Sequence, residues 1–231
     1  MAGRRRWGRI VLVAVPVLAL LLVGGPFLYT RVIAADPEPA LSLDAGTAPP
    51  PGAAPGAEGL DGTWTVATGS QAGYRVDEVL VGQSVTAVGR TDQVTGTVTL
   101  TGTTVRAARF EVDMASVTSD ERIRDDAFRG RIMDVATHPN ATFELRRPIA
   151  LGTVPAVGER RTITAAGTLT LRGTSRDVTV ELDTRRSAEA VTVAGSIPVR
   201  FADYGIPDPS IGPIRTEDNG VLEFRLELRR S

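Results

Sequence analysis

The chain contains no cysteine among its 231 residues and only one histidine, His138. Without cysteine it can form neither a disulfide nor a thiolate metal site, and it has no cysteine nucleophile. A lone histidine cannot make a histidine-rich metal site, and no nucleophile motif accompanies it, which favours a structural or surface role. We therefore expect no metal, no catalytic residue and no cofactor, and a fold that is stabilised by packing alone.

Signatures of common enzymes and of nucleic-acid binding are also missing. The sequence has no phosphate-binding Walker loop, no dinucleotide glycine fingerprint and no Gly-x-Ser-x-Gly elbow. Every basic residue is arginine, but the 26 basic residues are balanced by 27 acidic ones, which gives a net charge of -1. No basic patch is interleaved with aromatic residues, so we expect no nucleic-acid partner.

A long uncharged run lies near the N-terminus, at residues 10–30. About 20 such residues in a helix span the roughly 30 Å hydrocarbon core of a bilayer, so the run predicts a transmembrane signal-anchor helix. The four arginines within residues 1–9 predict a cytoplasmic basic tail and an extracytoplasmic location for the rest of the chain. The alternative is a cleaved signal peptide, with Val32-Ile33-Ala34 as its cleavage site.

The next segment, residues 31–60, is rich in proline, alanine and glycine and shows neither a helical nor a strand period. Such a composition cannot bury enough apolar surface to offset its ordering entropy, so we expect a disordered linker. The folded domain is then expected at residues 61–231, a length that suits one core.

Alternation of apolar and polar residues dominates this domain. The clearest case is a predicted β-hairpin from Thr162 to Asp183, in which Leu169 and Leu171 alternate with threonines and Val178 to Leu182 repeat the pattern. This period of two buries one face of a sheet. Further alternating stretches are at residues 73–81, 85–89, 97–101, 109–114, 141–145, 190–199 and 221–228. About eight or nine short strands favour an all-β antiparallel barrel or sandwich.

One interval, residues 116–138, breaks the alternation. Ser119 could cap a helical turn, and Ile123 and Ala127 follow at helical spacing. A long excursion between strands is usually functional or covering, so this interval is a candidate lid over one end of a barrel. Its acidic residues alternate with arginines and match no calcium-loop spacing, so we favour mutual ion pairing over a cation site.

Several spaced motifs together resemble the YceI-like polyisoprenoid-binding family. They are Asp61-Gly-Thr-Trp64, Ser116 with Arg124-Asp125, Asp134-Val135 and Pro139, the segment from Gly167 to Gly173, and the segment from Arg200 to Ile206. The resemblance implies a lipocalin-like antiparallel β-barrel of about eight strands that binds an isoprenoid lipid in the bacterial cell envelope. The sequence departs from the family pattern at Asp126-Ala127-Phe128, after Arg124-Asp125, and at Asp77 to Leu80, which leaves the identity of the ligand open.

The candidate ligand-binding residues combine this resemblance with the alternation. They are Phe110, Phe128, Phe143, Leu169, Leu171, Phe201, Phe224 and Arg124. The aromatic residues either line a lipid tunnel or fill an ordinary core, and an eight-stranded barrel is wide enough for either. Arg124 either grips a lipid phosphate or pins the lid to the barrel through a carboxylate, and the second reading is favoured.

The resulting hypothesis is a membrane-tethered, extracytoplasmic protein that holds an isoprenoid or other long-chain lipid without chemically changing it. One alternative is a barrel isomerase or hydrolase that acts through carboxylates such as Asp125 or Asp203. The other is an envelope interaction domain with a filled core. No feature of the sequence indicates an oligomeric state.

Overall fold

A computed structural model of the chain describes residues 37–44, 59–80, 82–212 and 214–231. The predicted basic tail and transmembrane helix, and most of the predicted linker, lie outside these residues. Among the residues that are described, no helix is long and apolar enough to cross a membrane.

The described part of the domain contains twelve strands in one antiparallel sheet. They are β1 (Gly62–Leu80), β2 (Gln83–Thr91), β3 (Val94–Thr101), β4 (Thr104–Asp113), β5 (Thr118–Ser119), β6 (Asn140–Leu145), β7 (Ile149–Ala150), β8 (Arg160–Leu171), β9 (Thr174–Arg186), β10 (Ala190–Arg200), β11 (Ile214–Thr216) and β12 (Asn219–Arg230).

Eight of these strands close a barrel in the order β1, β3, β4, β6, β8, β9, β10 and β12, because β12 pairs back with β1. The long strand β1 pairs with β3 near its start and with β2 along its second half. Strands β2 and β3 thus act as one long strand that is interrupted at Asp92 and Gln93. Closure removes the exposed sheet edges, and the predicted all-β antiparallel barrel of about eight strands is confirmed.

The predicted hairpin is formed by β8 and β9, which are joined by Arg172 and Gly173. Both turn residues have positive φ, 47° and 72°, as a two-residue type I′ hairpin turn requires. A Cβ atom at Gly173 would lie 2.6 Å from the ring of His138. Glycine is therefore needed here for both backbone conformation and space, and His138 packs against the turn, in keeping with its predicted structural role.

The interval between β4 and β6 covers one end of the barrel, and we refer to that end as the lid end. It contains a 3-10 turn (Met114–Ser116), β5, the short helix α1 (Arg122–Ala127) and a π-helical turn (Phe128–Ile132). Met114, Val117 and Phe128 are buried against the barrel. The predicted lid is therefore present, although its helix has only six residues.

Two details of the lid differ from the sequence expectation. The helical spacing of Ile123 and Ala127 does not mark the buried side of the lid. Ile123 is 70% exposed, and α1 with the π-helical turn buries the face that carries Asp125 and Phe128 instead. Ser119 does not cap the helix with its side chain. Its backbone N–H and its hydroxyl both donate to the Asp125 carboxylate, at 2.8 and 2.7 Å.

A second difference concerns residues 37–44, which fall within the predicted linker but lie against the outer wall of the barrel. We call this segment the strap. Leu43 is buried, and Leu41 donates its backbone N–H to Glu223 on β12 at 3.0 Å. The average composition of residues 31–60 conceals this short segment, whose leucines and backbone groups find specific partners.

Candidate functional site

A cavity of about 300 Å³ lies inside the barrel. Its lining comes mainly from inward-facing aliphatic and aromatic side chains of the closing strands and from the underside of the lid. This volume is at the lower end of the roughly 300–1,000 Å³ range of small-molecule sites. Side chains therefore do not fill this interior completely, which disfavours the alternative of a filled core.

All eight residues that the sequence suggested for ligand contact border this cavity. They are Phe110, Phe128, Phe143, Leu169, Leu171, Phe201, Phe224 and Arg124. The structure brings them together from the wall strands, the lid and the 3-10 turn at Phe201–Tyr204. Their contact with a ligand stays a prediction, because the cavity defines a space and not its occupant.

Three wall phenylalanines share a packing arrangement that keeps the interior open. Each ring lies so close to an inward-facing glycine on a neighbouring strand that a Cβ atom there would clash with it. The pairs are Phe110 with Gly96 at 2.5 Å, Phe143 with Gly167 at 2.2 Å and Phe224 with Gly195 at 2.8 Å. Because the glycines accept the rings against the wall, large aromatic residues line the barrel without filling its centre.

The lid end is closed by an aromatic stack. Phe128 of the lid stacks on Tyr74 of β1 with ring centroids 5.1 Å apart and an interplanar angle of 18°. Burial raises the pKa of the Tyr74 phenol well above its ordinary value, so the ring is uncharged at any physiological pH. Gly89 of β2 lies beside the same ring. A Cβ atom at Gly89 would be 2.3 Å from a ring carbon of Tyr74.

A charged cluster lies beside this stack. Arg124 of α1 pairs with Glu78 of β1 at 3.4 Å and also with Asp120. Burial raises the pKa of Glu78, and the neighbouring Arg124 guanidinium offsets only part of that shift. The charge of Arg124 is thus balanced by Asp120 within the lid and by Glu78 of β1, and the pair with Glu78 ties the lid to β1. This contact corresponds to the pinning role that the sequence favoured.

The opposite end of the barrel carries a different set of polar groups. Trp64 lies there, and its indole N–H donates to the carbonyl of Leu60 at 2.9 Å. Arg161 of β8 pairs with Glu159 at 2.6 Å and donates to the carbonyl of Thr153 at 2.9 Å. Arg186 of β9 donates to the carbonyl of Pro155 at 3.0 Å. These arginines hold the loop between β7 and β8 beside the cavity.

Besides Arg124, the cavity lining includes charged residues that were not predicted from the sequence, among them Glu78, Arg161 and Arg186. Strand parity could have found them. Glu78 is in phase with Tyr74 and Val76, and Arg161 is in phase with Ile163. A charged residue in phase with an apolar face marks a strand end or a site.

The carboxylates named for the enzyme alternative do not lie in the cavity. Asp125 is turned towards Ser119, and Asp203 is exposed in the 3-10 turn, neither of them among the lining residues. The acidic residues of the lid pair with its arginines, as Asp126 does with Arg129 at 3.8 Å. In the described part of the chain, no group of three or more His, Cys, Asp or Glu side chains could hold a metal ion.

The sequence from residue 64 to residue 228 matches the profile of the YceI-like domain, which covers most of the chain and nearly the whole barrel. The chain belongs to the YceI-like family. No curated protein matches the sequence.

Solved structures of YceI-like proteins share the fold. A polyisoprenoid-binding domain from Saccharophagus degradans, described as implicated in plant cell wall breakdown, aligns with a TM-score of 0.59 at 20% identity, over 73% of this chain and 98% of its own. BcnA of Burkholderia cenocepacia aligns with a TM-score of 0.51 at 20% identity, over 67% and 95%. The YceI protein of Campylobacter jejuni has a TM-score of 0.51 at 13% identity, over 62% and 84%. At these identities the likeness establishes the fold alone.

Proposed function

We propose that this YceI-like protein is a membrane-tethered, extracytoplasmic lipid-binding protein that holds an isoprenoid or another long-chain amphiphile in its barrel and does not chemically change it. The observation that carries the proposal is the apolar cavity of about 300 Å³, whose wall phenylalanines pack closely against glycines. Apolar cavities of this kind stay dry and accept apolar ligands. The polyisoprenoid-binding description of the related Saccharophagus degradans domain supports the choice of ligand class.

Binding energy would come mainly from burial of the ligand's tail. Each methylene removed from water contributes about 0.8 kcal/mol, and the cost of association is subtracted from the total. Branched isoprenoid units suit an interior lined by phenylalanine and branched aliphatic residues. The head group would lie at one end of the barrel, near Arg124 and Glu78 or near Arg161 and Arg186.

The test of lipid binding is mass spectrometry of organic extracts from the purified full-length chain. We expect a long-chain lipid in near-equimolar amount with the protein, and a rise in thermal stability when the extracted lipid is added back. Absence of lipid, together with no stabilisation by a commercial isoprenoid alcohol or isoprenoid quinone, would contradict the proposal.

The tethering part of the proposal rests on the uncharged run at residues 10–30 and on the arginines before it. The full-length chain should fractionate with membranes and keep its N-terminus. N-terminal sequencing of a soluble form that begins near Ala35 would show cleavage instead and would overturn this part alone, because the cavity does not depend on it.

A further inference from the structure

The strap, residues 37–44, is held on the outer wall of the barrel by side chains rather than by strand pairing. Its contacts are with β1, β2 and β12 at one end and with β8 and β9 at the other. These contacts are made by the face of the wall that points away from the cavity. The strap therefore lies on the opposite side of the wall from any ligand in the barrel.

A buried carboxylate anchors the first half of the strap. Glu223 lies between Leu222 and Phe224, whose side chains pack in the interior, so its own side chain points to the opposite face of β12, yet it is only 3% exposed. It accepts the Leu41 N–H at 3.0 Å and pairs with Arg90 at 2.7 Å. The wall residue that is sequestered under the strap is thus a charged acceptor for a peptide N–H.

Two arginines on the neighbouring strands bind carbonyl groups of the same half. Arg90 donates to the carbonyl of Pro39 at 2.9 Å, and Arg75 donates to the carbonyl of Glu38. In the sheet register Gly73 lies between Arg90 and Glu223. A Cβ atom at Gly73 would lie 3.0 Å from Cδ of Arg90. Glycine therefore keeps space for the Arg90 side chain to extend to Glu223.

The second half of the strap is held by one buried leucine and one clamped carboxylate. Leu43 is 6% exposed, and its carbonyl accepts from Arg185 at 3.0 Å. The Asp44 carboxylate pairs with Arg160 and lies 3.6 Å from Arg185. The hydrogen bond from Arg160 lowers the pKa of Asp44, so this carboxylate is charged at neutral pH.

Together the wall supplies donors for three peptide carbonyls, an acceptor for one peptide N–H, a site for a leucine and two arginines for the carboxylate that follows it. The planar guanidinium group of arginine has several N–H donors that can bind carboxylate and carbonyl oxygens. None of these contacts requires that the bound segment be covalently attached to the barrel. Because the wall groups are charged, water would hydrate the surface when the strap leaves.

We propose that this outer wall is a docking site for an extended peptide in which a leucine is followed by an aspartate, and that the strap is its resident occupant. A second polypeptide of the same chemistry docks by displacing the strap. The tethered strap competes with such a partner at high effective concentration. It therefore sets the affinity that the partner needs in order to bind.

The test measures binding of a fluorescein-labelled peptide with the sequence of residues 37–44 to the full-length chain in a mild detergent, by fluorescence anisotropy. In the chain that carries Leu43→Asp the resident strap is weakened, so the labelled wild-type peptide should bind at least about tenfold more tightly than it binds the unmodified chain. Adding Arg185→Glu to that chain should remove the binding. A labelled peptide that itself carries the Leu43→Asp change should bind neither chain.

Equal peptide affinity for the unmodified and Leu43→Asp chains would overturn the proposal, as would undiminished binding after Arg185→Glu. If the Leu43→Asp chain does not fold, Asp44→Arg disables the strap at an exposed position instead. Hydrogen exchange at the Leu41 amide provides a second measurement in the unmodified chain: excess unlabelled peptide should accelerate it, and an unchanged rate would contradict displacement. Lipid content should stay the same throughout, which separates this site from the cavity.

Discussion

Strand β12 shows two kinds of burial on the two faces of one wall. Its inward residues, such as Phe224, border the cavity, whereas its outward residue Glu223 is buried beneath the strap and among arginines. The inner face is apolar and borders unfilled space. The strap-covered outer face is charged. Its buried carboxylate, Glu223, is stabilised by neighbouring arginines and by a peptide N–H of the strap. We therefore expect the inner face to tolerate changes that the covered outer face does not.

The largest effect is expected where the buried charge cluster is broken. Glu223→Ala leaves the largely buried guanidinium of Arg90 with only the exposed carboxylate of Glu38, 3.8 Å away, and removes the acceptor of the Leu41 N–H. Loss of one partner of a buried ion pair destabilises by about 3–5 kcal/mol. Urea unfolding of the purified chain should show a loss of this size.

The matched control is Glu144→Ala. Glu144 pairs with Arg109 at 3.7 Å on an uncovered part of the wall, and its side chain is 67% exposed. An exposed pair of this kind contributes about 0–1 kcal/mol. Losses of similar size for the two variants would contradict the distinction between the covered and uncovered outer faces.

An intermediate effect is expected where a ring lies against a glycine. Gly167→Ala would bring a Cβ atom to 2.2 Å from the Phe143 ring and 2.8 Å from the carbonyl oxygen of Glu144. Overpacking of this kind costs about 1–3 kcal/mol. The control is Gly130→Ala, since a Cβ atom at Gly130 has nothing within 4 Å. A neutral Gly167→Ala with unchanged lipid content would contradict our account of how the interior is kept open.

A smaller effect on stability is expected for a residue enlarged towards the cavity. Leu169→Trp adds volume beside open space, so the free energy of unfolding should change by less than about 1 kcal/mol, while lipid retention should fall. Thr164→Trp, on the exposed face of the same strand, should alter neither quantity. A loss of 1–3 kcal/mol for Leu169→Trp would indicate a closely packed position instead.

The smallest effect concerns Glu78. Its pKa is raised by burial, so the folded chain binds this proton more readily than the unfolded chain does. Stability due to this group should therefore rise as the pH falls from above the raised pKa towards the ordinary value of 4.5. Glu78→Gln has no titratable carboxyl group at this position. The unfolding free energy of the wild-type chain relative to Glu78→Gln should therefore increase as the pH is lowered. A difference that shrank with falling pH would contradict this assignment.

Much of the inner face could be predicted from the sequence, because a period of two directly specifies which residues share a face. Leu169 and Leu171 on β8 are examples, and both border the cavity. Periodicity could not reveal that the interior is open, since an open and a filled barrel show the same alternation. That outcome depends on cross-strand neighbours such as Gly167 and Phe143, and therefore on the strand register.

The strap-covered outer face could not be predicted in this way. The strap is eight residues long within a segment whose average composition indicates disorder, and its partners are scattered from Arg75 to Glu223 in the sequence. Contacts of such sequence separation have no local signature. The orientation of α1 could not be predicted either, because a π-helical turn directly after six helical residues breaks the helical spacing of Ile123 and Ala127.

The most direct test of the central claim is photolabelling of the full-length chain with an isoprenoid that carries a diazirine in its tail, followed by peptide mapping. The account predicts labels on inward residues such as Phe143, Leu169 and Phe224, and none on the strap or on the exposed Ile123. Labels confined to the outer surface, or labelling of Leu169→Trp equal to that of the wild-type chain, would contradict a lipid site inside the barrel.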